Sequence, residues 1–187
     1  SLQYGTQFGG LINFVMKKPN ANKKTELITR NSIGSKNLIT NFTSLSINNE
    51  KLSFYGFSNF KKGDGFRKNS EFESFNSFGY INYNIDKKSS LSLETTYLTY
   101  LAHQAGGLSD KMFSDNPFQS NRARNWFNVD WLLYNLRVDH EFDLKKSLSV
   151  SLFGLNAVRN ALGFRVNRVD QVDSNGPRDL ISGDFNN

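Results

Sequence analysis

The chain of 187 residues has no cysteine, only three prolines and only two histidines. The absence of cysteine excludes disulfide bonds and cysteine metal sites, and His103 and His140 lack the spacing of a metal site. No apolar run reaches the 18 residues that a transmembrane helix needs. The sequence also lacks a glycine-rich phosphate loop and a nucleophile elbow. We therefore expect a protein that is not an enzyme and that needs no cofactor.

Aromatic residues are abundant, at 14% of the chain and with 17 phenylalanines, although hydrophobic residues make up only 37%. Their neighbours are mainly Ser, Thr, Asn, Gly and Lys, a mixture typical of a sheet with one apolar and one wet face. The net charge of +6 could indicate an anionic partner. However, the lysines occur as pairs at predicted turns, which favours a solvated surface.

The hydrophobic pattern predicts strand after strand with little helix character. The clearest alternation covers residues 132–143, where even positions such as Leu132 and Leu136 are apolar and odd positions such as Arg137 and Asp139 are mostly polar. About eleven residues is the length that a tilted membrane strand needs. In 38–61 the alternation is blurred, and the faces cannot be assigned. The predicted strands are 24–34, 38–48, 51–61, 74–85, 89–101, 132–143 and 147–158.

Short and long connections alternate between these strands. The turns 48–51, 86–89 and 143–146 are tight and polar, whereas 62–73, 102–131 and a segment from about residue 160 onward are long. The first connection, 35–37, is the exception. This alternation predicts an all-β fold, an antiparallel up-and-down transmembrane β-barrel with short turns at one rim and long loops at the other. Because seven strands do not close such a barrel, we expect this chain to form part of a larger barrel.

The chain opens with the glycine-punctuated stretch SLQYGTQFGGLINFVMKKP. The apolar run 11–16 has the length and composition of a single strand, ended by Lys17, Lys18 and Pro19. A strand with nothing before it is interpreted as the end of a preceding domain.

Part of this stretch resembles the last strand of the plug domain in TonB-dependent outer-membrane receptors. The matching segment is Tyr4-Gly5-Thr6-Gln7-Phe8-Gly9-Gly10-Leu11-Ile12-Asn13-Phe14. The residues that carry this plug-end motif are Tyr4, Gly5, Gly9, Gly10 and Asn13. Loop segments are similar to the subgroup related to ferric dicitrate receptors. These segments are 106–110, 115–117, 120–127, 159–165 and 178–180.

The resemblance implies that residues 1–19 form the C-terminal end of the plug and residues 20–187 the N-terminal part of a barrel of about 22 strands. It implies a location in the outer membrane of a Gram-negative bacterium. It also implies import of a scarce ligand such as an iron chelate, driven by a TonB energy-transducing complex. The expected partners are therefore that complex, the chelate and outer-membrane lipid.

An anionic chelate such as ferric citrate would be bound by guanidinium groups and polar donors in the long loops. The candidate ligand residues are Gln104, Gln119, Asn121, Arg122, Arg124, Arg165 and Arg168. Alternatively, these arginines pair with Asp110, Asp115 and Asp130 or bind lipopolysaccharide phosphates. Trp126 and Trp131, near the base of the loop, are predicted to lie in the aromatic girdle at the membrane interface.

Two other functions fit parts of the sequence. The same barrel could import a carbohydrate or a peptide together with a surface lipoprotein. A soluble basic β protein that binds nucleic acid would need aromatic rings and lysines on one face of its strands. Because strand 132–143 separates apolar from charged residues, the sequence argues against a nucleic-acid partner.

Overall fold

A computed structural model describes Gly9, residues 12–164 and, for the backbone alone, residues 180–184. The fold is one antiparallel sheet in which eight strands follow one another in chain order. The strands are β1 (Thr25–Ile33), β2 (Ile39–Asn48), β3 (Leu52–Gly63), β4 (Phe72–Asn84), β5 (Ser89–His103), β6 (Trp126–Asp143), β7 (Lys146–Phe164) and β8 (Leu180–Asp184). The predicted all-β, up-and-down arrangement is confirmed. Across the described residues β1 does not pair with β8, so the sheet is not closed into a barrel.

All seven predicted strands are present, but the last part of the chain differs from the prediction. Residues 160–164, expected to open a long loop, belong to β7, which continues to Phe164. Gly183 and Asp184, expected in an open loop, lie in β8. The loop predicted at 102–131 is also shorter, since β6 begins at Trp126. The reason is continued backbone pairing, because β5, β6 and β7 keep register as far as His103, Trp126 and Leu162.

The short–long alternation of connections is confirmed in the described chain. Since each strand is antiparallel to the next, the tight turns 49–51, 85–88 and 144–145 lie at one rim, which we call the turn rim. The connections 34–38, 64–71 and 104–125 lie at the opposite rim, the loop rim.

The 104–125 loop contains a helix, α1 (Asp110–Asp115), that the sequence pattern did not reveal. It is only six residues long, and its first turn is capped by Ser109, whose hydroxyl accepts a hydrogen bond from the Met112 N–H. In the described part of the chain, no helix is both long and apolar enough to cross a membrane.

The strand register assigns every side chain to one of two faces, because successive residues of a strand point to opposite sides. We call one of them the apolar face. One row of register partners crosses its centre, namely Thr25, Ile47, Phe54, Ile81, Leu93, Leu136 and Leu152. We call the other the segment face, because residues 17–20 lie against it.

Two glycines on the apolar face are covered by aromatic rings of neighbouring residues. A Cβ atom at Gly56 would lie 2.6 Å from Cζ of Phe54, and one at Gly154 would lie 2.3 Å from the hydroxyl oxygen of Tyr134. A glycine in a strand leaves bare backbone, and a ring laid over it restores the lost contact. Larger residues at these two positions would therefore displace the rings.

The strand predicted within 11–16 is wrong for the described residues 12–16, which have no strand pairing. Ile12, Phe14 and Val15 are each about 80% exposed. A strand needs a neighbour for its backbone hydrogen bonds, and among the described residues this segment pairs with none. At Gly9 a Cβ atom would meet nothing within 4 Å, so the described structure shows no close approach that requires glycine there.

Asp86 organises the tight turn between β4 and β5. One carboxylate oxygen accepts hydrogen bonds from the N–H groups of Lys88 and Ser89, both at 2.7 Å, and the other accepts from the Ser89 hydroxyl at 3.1 Å. These bonds, with that from Lys88 first, hold the pKa of Asp86 below its ordinary value. The carboxylate therefore stabilises the turn in its charged form.

The turn should loosen in acid. Because the folded pKa lies below the unfolded one, the contribution of Asp86 is complete above about pH 4 and is lost as the pH falls through the folded value. We expect the amides of Lys88 and Ser89 to lose protection from hydrogen exchange in this range, beyond the intrinsic pH effect. Asp86→Asn keeps the acceptor oxygen without the charge, so it should show no such step. A step of equal size in that variant would assign the transition to another group.

Candidate functional site

The apolar face is exposed over seven strands. Many of its large apolar side chains are between 38% and 88% exposed, and others, such as Phe54 and Phe75, are partly buried. They include Leu27, Ile33, Ile39, Leu52, Ile81, Tyr83, Leu93, Tyr97, Leu101, Leu132, Tyr134, Leu136, Val138, Leu148, Val150, Leu152 and Val158. Such a continuous apolar surface marks a contact with a partner or a membrane.

The acidic, basic and histidine side chains on this face lie toward the ends of the strands in β1–β7. They are Lys62, Glu73, His103, Asp130, His140 and Lys146. Lys62 and Glu73 form an ion pair of 3.2 Å across β3 and β4. The three register rows that begin at Thr25, Leu27 and Thr29 contain no Asp, Glu, Lys, Arg or His. A charge-free band therefore crosses the middle of the apolar face.

The segment face is mixed in character. Its charged residues include Arg137 and Asp139, where Nε of Arg137 lies 2.9 Å from both carboxylate oxygens of Asp139. It also has an aromatic cluster, in which the rings of Phe57 and Phe78 stack at 5.8 Å and Phe42 lies 5.6 Å from Phe57. This face combines ion pairs with apolar area, as expected for a surface that packs against further polypeptide.

The girdle prediction is wrong for one of the two tryptophans. A spacing of five residues places Trp126 and Trp131 on opposite faces of β6, since strand side chains alternate. Trp126 lies on the apolar face beside the loop rim, and Trp131 lies on the segment face. Trp126 alone keeps the position that an interfacial girdle residue needs.

Two residues of the 64–71 connection hold the 104–125 loop through its backbone carbonyls. The Arg67 guanidinium donates to the carbonyls of Gly106 (2.7 Å), Gln119 (2.8 Å) and Ala105 (3.2 Å). Asn69, in the left-handed region with φ of 52°, donates through Nδ2 to the carbonyl of Arg122 at 2.7 Å. No local sequence pattern indicates either role, because the partners lie 38 to 53 residues away.

Gly106 makes the close packing of this loop possible. Its φ is 74°, and a Cβ atom there would lie 2.1 Å from Oδ1 of Asn121 and 2.7 Å from Cγ of Arg122. Only glycine avoids both the strained backbone and the collision. The Gly106-Gly107 pair is thus explained by the folding of the loop itself.

Two of the predicted ligand residues lie inside this loop. Asn121 is fully buried and donates to the Gly107 carbonyl at 2.5 Å, and Arg122 is 8% exposed and donates to the Asn121 carbonyl at 2.8 Å. A side chain without exposed surface contacts a ligand only if the loop rearranges. In this conformation both residues support the loop.

The other predicted ligand residues are distributed differently. Gln119 and Arg124 are both partly buried, and Gln119 donates to the Met112 carbonyl, whereas Gln104 is exposed. The structure thus brings Gln104, Gln119, Asn121, Arg122 and Arg124 into one loop. Arg165 and Arg168 lie outside the described residues, as do the motif residues Tyr4, Gly5 and Gly10. Asn13 is described and exposed. Ligand binding by the candidate ligand residues stays a prediction, as does the plug-end role of the motif residues.

An exposed aromatic pair at the loop rim was not anticipated from the sequence. Phe66 and Phe118, from two different connections, are 60% and 49% exposed, and their ring centroids are 4.9 Å apart. The Lys36 ammonium lies 5.7 Å from the centroid of Phe118. Large exposed rings at loop tips are available for contact with a ligand.

Comparison with known proteins does not identify this chain. A scan against protein-family models finds no match, and a search of curated proteins finds none at a significant level. Within residues 12–164, no cluster of acidic and histidine side chains could hold a metal ion.

Removal of the Arg67 guanidinium should open the 104–125 loop without unfolding the sheet. Arg67→Ala removes all three bonds. The Ala105 carbonyl keeps the Asn121 N–H and the Ser120 hydroxyl as donors, whereas the carbonyls of Gly106 and Gln119 lose the guanidinium, and each unsatisfied buried group costs about 1–3 kcal/mol. We expect limited chymotrypsin digestion of the full-length protein to cleave this loop at least roughly tenfold faster. Lys68→Ala is the matched control, because Lys68 is an exposed neighbouring cation. Equal cleavage rates in the two variants would contradict the role assigned to Arg67.

Proposed function

We propose that this chain forms part of the wall of an outer-membrane β-barrel of the TonB-dependent receptor type, which binds and imports an iron chelate. The observation that carries the proposal is the exposed, charge-free band across the apolar face. The resemblance of residues 4–14 to a plug end and the layout of the two rims support it.

A lipid environment accounts for the apolar face better than water does. Exposed apolar surface costs roughly 25 cal/mol per Å² in water, and soluble monomers rarely expose patches above a few hundred Å². In a bilayer the same surface is solvated, and the ladder between strands satisfies the backbone groups. A tilted strand needs about 9–11 residues to cross the hydrocarbon core, and β2 to β7 have between 10 and 19 residues.

The two rims support the same proposal. Outer-membrane barrels have short turns on the periplasmic side and long loops on the extracellular side. In this chain the connections at the turn rim are tight, and two of those at the loop rim, 64–71 and 104–125, are long. The segment before β1 reaches the sheet from the turn rim and lies against the segment face, as a linker from a plug inside the barrel would. The unpaired edges of β1 and β8 also favour further strands in a larger barrel.

A charge placed on the apolar face should block membrane assembly. We expect Leu152→Arg in the full-length protein to reduce the folded, outer-membrane-inserted form strongly, since arginine on a lipid-facing midplane costs about 2–4 kcal/mol. The readout is the amount of heat-modifiable protein in the outer-membrane fraction.

Ser151→Arg is the matched control for that experiment. Ser151 is the adjacent residue on the segment face, and both side chains are exposed, so neither substitution disturbs a packed core. If Leu152→Arg assembles as well as Ser151→Arg, the apolar face does not contact lipid and the proposal fails. Extraction of the wild-type protein without detergent would favour a soluble protein instead.

In this proposal the cargo is an anionic chelate that contacts the loop rim. Gln104 is exposed, and Arg124 and Gln119 are partly exposed, whereas Asn121 and Arg122 are buried in this conformation. A guanidinium group binds carboxylates through paired, charge-assisted hydrogen bonds. Ferric citrate is therefore the probe with which this part of the proposal is tested.

Loss of the Arg124 charge should weaken chelate binding. We expect Arg124→Gln to raise the Kd for ferric citrate roughly tenfold in the purified full-length protein, because a charge-assisted bond contributes about 1.5–3 kcal/mol. Binding is measured by titration calorimetry. Lys111→Gln removes one exposed charge from the same loop and should leave the Kd unchanged. Unchanged affinity in Arg124→Gln would remove this residue from the binding site.

The exposed Phe66–Phe118 pair favours a second cargo class, a carbohydrate. Aromatic rings contact the apolar faces of sugars, whereas citrate offers no comparable surface. If Phe118→Ala weakens binding of an oligosaccharide and ferric citrate does not bind, the import of a carbohydrate replaces that of a chelate.

A further inference from the structure

Five residues of the segment face lie in one register row across β1 to β5. The row runs from Glu26 through Ser46, Tyr55 and Tyr80 to Glu94. Neighbouring strands are about 4.8 Å apart, so the row presents a carboxylate, a hydroxyl, two phenol rings and a second carboxylate at regular intervals. Carboxylates and ring faces both attract ammonium groups.

The segment that precedes β1 follows the first four members of this row. The Asn20 N–H donates to the Ser46 hydroxyl at 2.8 Å, and Nδ2 of Asn20 donates to Glu26 at 3.3 Å. The Lys17 ammonium lies 4.0 Å from the Glu26 carboxylate and 5.3 Å from the centroid of Tyr55. The Lys18 ammonium lies 5.4 Å from the centroid of Tyr80. The segment thus contacts residues of four neighbouring strands, β1 to β4.

We propose that this row is a cation-binding site for the Lys17–Lys18 pair of the same chain, and that it holds the N-terminal segment reversibly by side-chain contacts. The segment can then separate from the sheet while the ladder between β1 and β4 stays intact. This inference concerns the segment and the sheet only, and it does not depend on which cargo is bound.

The nature of the contacts explains why the attachment is reversible. Within residues 12–20, the backbone makes no ladder with the described sheet, and the N–H of Asn20 is bonded to a side chain. Lys17 is 55% exposed at its side chain, and exposed ion pairs and cation–π contacts are individually weak. Several weak contacts in series position a segment, yet each can break alone.

Glu26 keeps a partner when the segment leaves. Its carboxylate also binds the Lys23 ammonium at 2.7 Å, and Lys23 belongs to the turn that enters β1. Departure of Lys17 therefore leaves no unpaired carboxylate at this end of the row. Tyr55 and Ser46, at 5% and 2% exposure, keep their positions in the sheet through strand pairing.

The test measures the mobility of the N-terminal segment after substitutions in the segment and, separately, in the sheet. A spin label at Val15→Cys in the purified full-length protein, freed of any other cysteine, reports the ratio of mobile to immobile label by electron paramagnetic resonance. We expect the double variant Lys17→Gln, Lys18→Gln to raise this ratio roughly tenfold, since two weak contacts are lost. The matched control is Lys145→Gln, Lys146→Gln, which removes an adjacent lysine pair at the β6–β7 turn and should leave the ratio unchanged.

A second variant alters the sheet and leaves the segment as it is. Tyr55→Leu with Tyr80→Leu removes the ring faces and keeps apolar bulk, so it should also release the label. Hydrogen exchange of β3 and β4 should stay at the wild-type level in the lysine variant. An unchanged label ratio in the lysine variant, or a loss of protection in β3 and β4 together with release, would overturn the inference.

Discussion

The unbroken antiparallel ladder is the constraint on which the rest of this structure depends. Each strand from β1 to β7 pairs with the next over almost its full length, and the pairing fixes which residues share a row. Because side chains alternate, the ladder alone decides that Leu136 and Leu152 face one side while Arg137 and Ser151 face the other. A slip of one residue in the strand pairing would place charged side chains on the apolar face and move its leucines to the segment face.

The sequence was sufficient to predict the strands wherever polarity followed this alternation. Leu132 to Phe142 alternates clearly, and its faces were assigned as the structure has them. In 38–61 the faces could not be assigned, because Phe54 lies on the apolar face while Phe42 and Phe57 pack on the other. When both faces of a sheet need aromatic residues, hydrophobicity no longer distinguishes them.

The loops at the loop rim lay beyond prediction for a different reason. Their order comes from side chains that reach backbone carbonyls far away in the sequence, such as those of Arg67 and Asn69, and local composition does not encode such pairs. The same physics explains why residue type alone could not show that Asn121 and Arg122 lie inside the loop. Polar donors suit both a ligand and a loop interior, and only the folded arrangement shows how much of each side chain is exposed.

The glycines of the apolar face also bear on the shape of the sheet. Gly56 and Gly79 are register partners on β3 and β4, and a Cβ atom at Gly79 would meet only the Thr95 hydroxyl, at 3.3 Å. At this one pair neither strand places a side chain on the apolar face, although Phe54 and Ile81 face each other in the next row. We therefore expect the sheet to bend more easily at this point of the β3–β4 seam than where side chains meet, with the Phe54 ring covering the bare backbone of Gly56.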